Sequence, residues 1–422
     1  MKTNKMLFTL LVLGSGLLSF SKPLTQEFAH IPNIVRNAEV NQNNKIKNVI
    51  LFIGDGMGLA HIEASEIYKN EKLSFQNFPY QAFMNTDSLS SIGFTLDESK
   101  SLIRPEENKS LYDGTPSPYG EEGSTLGTSG VVTCYTDSAA GGTALSTGEK
   151  VNNSTLGLSS DGSHITNIVE IAKGLGKKAG VVSSDTMSGA TPSSFTAHAD
   201  SRHTSIDIIN SISESPVDLY MTSMDDTYKN NQSSLETTFR NKGFNIAYSR
   251  NEINIESNRI LGLFNGVTWK TDPRVPSLAE LTGFALDYLD NDKGFFLMVE
   301  GANIDKNSHS HQSKLVINET LGLDSAVNEA LNWASNRDDT LILVTADHET
   351  GGLHFDRNNS TKDNIVDNMK WLSWNHSRTR VPLYIYGNIT NFINQYSSHF
   401  STLEGLPYWD NTDVFRFMSM YL

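Results

Sequence analysis

Residues 48–58 read NVILFIGDGMG, residues 295–309 read FFLMVEGANIDKNSH and residues 341–352 read LILVTADHETGG. Each stretch begins as a short, unbroken apolar run and then breaks into glycine, carboxylate and histidine. An apolar run of that length, bounded by turn residues, fits a strand buried on both faces. AGVVSS (179–184) and PLYIY (382–386) read the same way, and shorter strands are expected at VDLYM (217–221) and NIAYS (245–249). Helical patterns lie between them. Ile165, Ile168, Val169 and Ala172 keep helical spacing, as do Leu323, Ala326, Val327, Ala330 and Ala334. SLAELTGFALDYL opens on Ser277 with Glu280 three residues later, the pattern of a capping box. Buried strands alternating with amphipathic helices predict an α/β fold with a large, mostly parallel central sheet and helices on both faces.

In such sheets, sites form beyond the C-terminal ends of the strands. The residues that follow four of the strands are GDGMG (54–58), SDTMSGATPSSFTAHADSR (184–202), EGANIDKNSH (300–309) and ADHETGG (346–352). They bring Asp55, Glu300, Asp305, His309, Asp347 and His348 to one edge of the sheet. Asp305 and His309 are four apart, so one face of a helical turn carries both. Asp347 and His348 are adjacent where a strand ends. Taken singly, such pairs are more often solvated surface; their common edge is what raises them to candidate ligands. TDSAAGGTALSTG (136–148) adds Ser138 at a helix N-terminus, where the dipole favours an oxyanion or a phosphate. By itself Ser138 reads as an ordinary N-cap of a glycine-weakened helix.

Composition limits the alternatives. The chain has 422 residues, 33 Lys+Arg against 48 Asp+Glu, a net charge of −15, 38% hydrophobic residues and one cysteine. Average apolar and charged contents exclude disordered, collagen-like and polytopic membrane classes. The acid excess argues against surface nucleic-acid binding, because phosphates would be repelled. A lone cysteine, Cys134, allows neither an intramolecular disulfide nor a cysteine-based zinc cluster, and is read as a small buried side chain. Any metal site must therefore be built from His, Asp and Glu.

MKTNK followed by the apolar run MLFTLLVLGSGLLSF, with Ser19 and Ser21 ahead of a cleavage point, has the layout of a secretory signal peptide. The apolar run is shorter than the roughly 20 residues of a spanning helix. Residues 1–21 are expected to be that signal, and residues 22–422 a single catalytic domain, periplasmic or secreted and free of the membrane after cleavage. Two stretches look inserted: 88–130, with Pro105, Pro116 and Pro118 and acidic pairs, and 354–375, rich in Asn and Asp but carrying Trp371 and Trp374 as docking groups.

Together, NVILFIGDGMG, TDSAA, ATPSSFTAHADSR, FFLMVEGANIDKNSH, VTADHETGG and the region of His376 resemble the metal-dependent alkaline phosphatases, in order from Asn48 to Gly387. The resemblance implies two zinc ions and one magnesium ion per chain. It implies a first zinc on Asp305, His309 and His376, and a second on Asp55, Asp347 and His348 beside the nucleophile Ser138. Magnesium would take Asp55, Thr191 and Glu300, and Arg202 would grip the phosphoryl group, with Lys306 reaching it through water. The implied reaction is hydrolysis of small-molecule phosphate monoesters through a phosphoserine intermediate, and the family suggests a homodimer. Zinc accepts nitrogen and carboxylate oxygen, whereas magnesium prefers an all-oxygen shell, so the donor types suit these roles.

The departures from the pattern matter as well. Bacterial members commonly have Asp, and animal members His, two residues before the magnesium-binding Thr; here that residue is Gly189, which implies a loosely held third metal. Ser308 stands where an acidic residue is frequent. A sulfatase would need C-x-P-x-R, but YTDS follows Cys134. A phosphodiesterase of the superfamily usually has a Thr nucleophile and lacks the arginine and magnesium partners; Thr136 is near, yet TDSAA with Arg202 favours a monoesterase. A non-catalytic metal or phosphate binder would have no reason to keep Ser138 beside two zinc sites.

Overall fold

Strands and helices alternate from Asn48 to the C-terminus. The strands are β1 (Asn48–Gly54), β2 (Tyr80–Asn85), β3 (Lys178–Thr186), β4 (Leu219–Ser223), β5 (Phe244–Ala247), β6 (Arg259–Phe264), β7 (Phe295–Gly301), β8 (Thr340–Thr345), β9 (Glu349–Thr350), β10 (His376–Ser377), β11 (Val381–Tyr386), β12 (Ser401–Leu403) and β13 (Leu406–Asp410). The computed structural model describes residues 45–91, 135–270, 272–396, 401–403 and 405–422. The expected signal peptide, Cys134 and nearly all of the 88–130 excursion lie outside the described residues.

One 11-stranded sheet runs in the order β12-β13-β2-β11-β8-β1-β7-β3-β4-β6-β5, and β9 and β10 form a separate two-stranded ribbon. From β8 through β1, β7, β3, β4 and β6 to β5 every pairing is parallel. The residues of β1, β7 and β8 are buried throughout, as strands covered on both faces must be. Helices Leu278–Leu289 and Ser313–Ala334 pack together against β3, β7 and β1, while helices Ser138–Thr147, Ile168–Gly174, Ala190–Ser194 and Asn411–Ser419 form a second packed layer on β3 and β7. The register opposes Ile53 to both Glu300 and Thr345, so β1, β7 and β8 end level with one another. Among the described residues no helix is long and apolar enough to cross a membrane.

Three local readings shift. PLYIY is a strand, but β11 runs antiparallel to both β8 and β2. The chain leaves β8 at the C-terminal edge of the sheet and starts β11 from that same edge without a crossover helix, so it can only run back. Ile165 precedes its helix, which starts at Ile168 because Asn167 and Glu170 close a capping box there. The two short strands lie at Leu219–Ser223 and Phe244–Ala247, and RILGLF of β6, unassigned in the sequence, pairs between them. Ser277 caps its helix with Glu280 as expected. The 354–375 stretch docks on its own chain: the Trp371 indole donates to Ser313 Oγ at 3.2 Å, and its ring stacks on His311.

Candidate functional site

The level ends of β1, β7 and β8 determine what meets at the edge. After β1, Gly56 turns with φ +71°, and a Cβ there would lie 2.9 Å from Asp305 Oδ1. Glycine is therefore required both for the turn and for the approach of Asp305. Gly56 N–H donates to Asp347 Oδ1 at 3.2 Å, and Thr350 N–H donates to the Gly56 carbonyl at 3.0 Å. These bonds tie the β1 turn to the β8 turn and leave Asp55 buried between them.

Asp305 and His309 lie on helix Asn303–His309, directly after β7, with His309 Nε2 3.3 Å from Asp305 Oδ2. His376 arrives from the ribbon, where it pairs with Thr350. Its Nδ1 sits 2.7 Å from the Thr136 carbonyl, and His309 Nδ1 faces the Trp374 carbonyl. A ring nitrogen facing a carbonyl must carry the proton, so when the rings are neutral both Nε2 atoms turn lone pairs inward, and when they are protonated both turn positive charge toward Asp305. They stand 3.1 Å apart. His348 stacks on His376 with centroids 3.6 Å apart, and its Nε2 is 3.2 Å from Asp347 Oδ2, 3.6 Å from Asp55 Oδ1 and 3.2 Å from Ser138 Oγ. Lone pairs and carboxylate oxygens facing each other at these distances form a cation-binding arrangement.

Among the described residues, two groups of three have donor atoms within 4.8 Å of one another: Asp305, His309 and His376, and Asp55, Asp305 and His348. The first is the triad expected from sequence. In the second Asp305 stands where Asp347 was expected, so Asp305 belongs to both. Asp347 adjoins it: its Oδ1 is taken up by the Gly56 and His348 backbone, and its buried Oδ2, which faces His348 Nε2, makes no hydrogen bond among the described residues.

Ser138 is the first residue of helix Ser138–Thr147, and Asp137, not Ser138, is the cap. Asp137 Oδ1 accepts from Ala140 N–H at 2.9 Å, while Oδ2 accepts from Ser154 N–H at 2.9 Å and from the Arg202 guanidinium at 3.2 Å. One buried carboxylate thus fixes both the Ser138 helix and the arginine. Thr191 Oγ1 is 3.5 Å from Asp55 Oδ2. Glu300 Oε2 accepts from Ser183 Oγ, and the buried Oε1 has no hydrogen-bond partner among the described residues. Lys306 pairs with Asp185, not with a residue of either triad.

The electrostatics follow from crowding. Burial, and next the charge of Asp185, push Glu300 up to about 8. Burial, and next Asp305, push Asp347 up to about 7. Burial works against ionising Asp305, yet His309, then His376 and His348, hold it well below the usual carboxylate range. Asp137, Asp185 and Ser183 were missed from the sequence. Asp137 carried one signal, an N-capping residue type directly before the helix, and Asp185 another, a carboxylate directly after the apolar run AGVVSS; Ser183 carried none.

The alkaline phosphatase family model matches residues 124–232 and 219–402. Alkaline phosphatase 4 of Bacillus subtilis is 30% identical over 329 residues, covering 75% of this chain and 64% of that protein. The chain therefore spans less than two thirds of that relative's length. The alkaline phosphatase of Escherichia coli is 28% identical over 448 residues, covering 89% of this chain and 86% of that protein. Among solved structures, a mutant of the TAB5 alkaline phosphatase with Mg bound in its M3 site superposes with a TM-score of 0.67 at 24% identity, covering 89% of this chain and 97% of that one.

Proposed function

The chain belongs to the alkaline phosphatase family, and within it we propose that this protein hydrolyses small-molecule phosphate monoesters, with Ser138 as the nucleophile. One observation carries the reading: His309 Nε2 and His376 Nε2 face each other at 3.1 Å, and His348, stacked on His376, puts its own Nε2 3.2 Å from Ser138 Oγ. Nitrogen and carboxylate donors in this number fit zinc. Asp305, His309 and His376 would hold one ion, and Asp55, Asp347 and His348, with Asp305 adjoining, a second. Asp55, Thr191 and Glu300 offer oxygen alone and fit magnesium; the unpartnered Glu300 Oε1 is a donor left for it. When bound, these ions lower the pKa of a hydroxyl and of water and neutralise charge on the entering and leaving oxygens.

The chain's own residues supply the rest. Ser138 Oγ, at a helix N-terminus where the dipole favours negative charge, attacks phosphorus. An Oγ–P bond forms and the P–O bond to the leaving alcohol breaks. Arg202, held by Asp137, presents its planar fork to two non-bridging oxygens. Water then attacks from the vacated side, breaking the Oγ–P bond and releasing phosphate. Contacts confined to the phosphoryl group leave the alcohol unselected. Export to the periplasm or medium after removal of residues 1–21, one catalytic domain over 22–422 and a homodimeric state complete the reading.

The test is Ser138→Ala. Turnover of an aryl phosphate should fall by several orders of magnitude, and acid quenching of the wild type with labelled substrate should trap label on Ser138. Near-normal turnover by the variant would overturn the assignment.

A further inference from the structure

Gly189 leaves a gap two residues before Thr191, and the structure fills it from elsewhere. A Cβ at Gly189 would lie 2.3 Å from Asp185 Oδ2 and 2.4 Å from its Cγ, so any larger side chain would displace that carboxylate. The Gly189 backbone is ordinary, with φ −55° and ψ 142°, so conformation alone does not demand glycine. What demands it is the space.

Asp185 reaches that space because β3 bulges. Between Val182 and Thr186 four residues of β3 advance against two of β4, from Met221 to Ser223. Such bulges re-aim side chains at the ends of strands. The following turn is pinned: Gly189 N–H donates to the Thr186 carbonyl at 2.9 Å, Tyr220 OH to the Met187 carbonyl at 2.7 Å and Ser188 Oγ to Asp225 at 2.7 Å. With both ends held, a clash at Gly189 cannot be relieved by moving the backbone.

Asp185 is buried and meets the site twice, through its carboxylate and through its backbone. Its Oδ1 pairs with Lys306 and accepts from Thr186 N–H at 2.6 Å. Its backbone N–H donates to Ser183 Oγ at 2.7 Å, and Ser183 Oγ in turn donates to Glu300 Oε2. The Asp185 backbone is thus one hydroxyl away from Glu300, whose other oxygen is buried with no hydrogen-bond partner among the described residues.

We propose that Gly189 and Asp185 work as one unit: the side chain missing at 189 admits the Asp185 carboxylate, which positions Lys306 for the phosphoryl group and supplies the outer carboxylate of the magnesium site on Asp55, Thr191 and Glu300. This rests on the phosphatase reading and changes one of its expectations. Gly189 then signals a relocated carboxylate, not a missing one, and the third cation is held firmly. Asp185 acts through Lys306 and the cation's ligands, so it is a positioning residue.

The test titrates Mg²⁺ calorimetrically into the zinc-loaded protein and follows KM and kcat on an aryl phosphate. The variants are Asp185→Asn, Gly189→Ala and the exchange Asp185→Gly with Gly189→Asp. Loss of an outer partner typically weakens metal binding about 10- to 100-fold. Both single variants should show a weakening in that range together with a raised KM, and the exchange should recover most of it. Asp185→Asn adds no atoms, so it remains decisive if Gly189→Ala does not fold. Wild-type Mg²⁺ affinity in Asp185→Asn, or an exchange variant no better than the singles, would overturn the proposal. A wild type that turns over monoesters while its variants titrate unchanged defeats this proposal alone; a wild type that binds Mg²⁺ without turnover defeats the phosphatase reading.

Discussion

Replacing Asp137 separates positioning from stability at the site. Its two oxygens accept three donors: Ala140 N–H on Oδ1, and Ser154 N–H with the Arg202 guanidinium on Oδ2. Asp137→Ala removes both acceptor oxygens, and with them all three bonds, from a fully buried position. Losing the helix cap costs about 1 kcal/mol, and leaving the half-buried Ser154 N–H without its acceptor costs about 1–3 kcal/mol. The sum is roughly 2–4 kcal/mol. At about 2 cal/mol/K of unfolding entropy per residue, a chain of this size loses only about 1 °C of Tm per kcal/mol, so Tm should fall by about 2–5 °C. Arg202 also loses a charged partner at Oδ2, and a charge-assisted bond of about 1.5–3 kcal/mol no longer orients it. Inorganic phosphate should then bind about tenfold or more weakly as a competitive inhibitor. Asp137→Asn should fall between wild type and Ala. Its amide must present N–H to one set of donors, and it does least harm by facing Ala140 while the carbonyl stays on Ser154 and Arg202. Measuring the phosphate inhibition constant and the thermal midpoint of all three proteins checks this. If Asp137→Ala loses the expected stability but binds phosphate like wild type, Asp137 does not orient Arg202.

Other outcomes follow from buried charge. Burial, and next Lys47, lower Lys177 from 10.5 to about 8. The unfolded chain binds more protons over that window, so unfolding free energy should rise as pH climbs from about 8 toward 10.5. Denaturant midpoints should show this slope and Lys177→Met should flatten it; an unchanged slope refutes the attribution. With Glu300 raised to about 8 and Asp347 to about 7, the cation-free protein retains protons near neutrality that cations must expel. Calorimetry of zinc and magnesium loading at pH 7 in buffers of different ionisation enthalpy should give buffer-dependent heats, and identical heats would contradict the raised values.

The central fold was legible because both chemical signals are local. Continuous apolar runs such as NVILFI and FFLMV encode burial on two faces, and the break into GDG or ADH marks where each strand stops. Asp305 and His309 were legible as a pair because helical geometry converts a spacing of four into adjacency. What escaped is relational. The direction of β11 depends on which edge of the sheet the chain last left, and no property of PLYIY records that. Asp185 acts by filling a space three residues of turn away from its own strand, through a bulge that the composition of β3 does not announce. Asp305 takes its place in both triads through the depth to which Gly56 admits it, a distance no spacing rule contains.

Asp55, Asp305 and His348 share one group although about 250 residues of chain separate the first two. A cation seated there is, in polymer terms, a cross-link closing a very large ring. Closing a loop of that length costs the unfolded chain on the order of 5 kcal/mol of entropy, and the folded sheet has already met that cost. Metal loading would therefore act on the molecule as a clasp across the ends of β1, β7 and β8, drawing on order that the sheet already supplies.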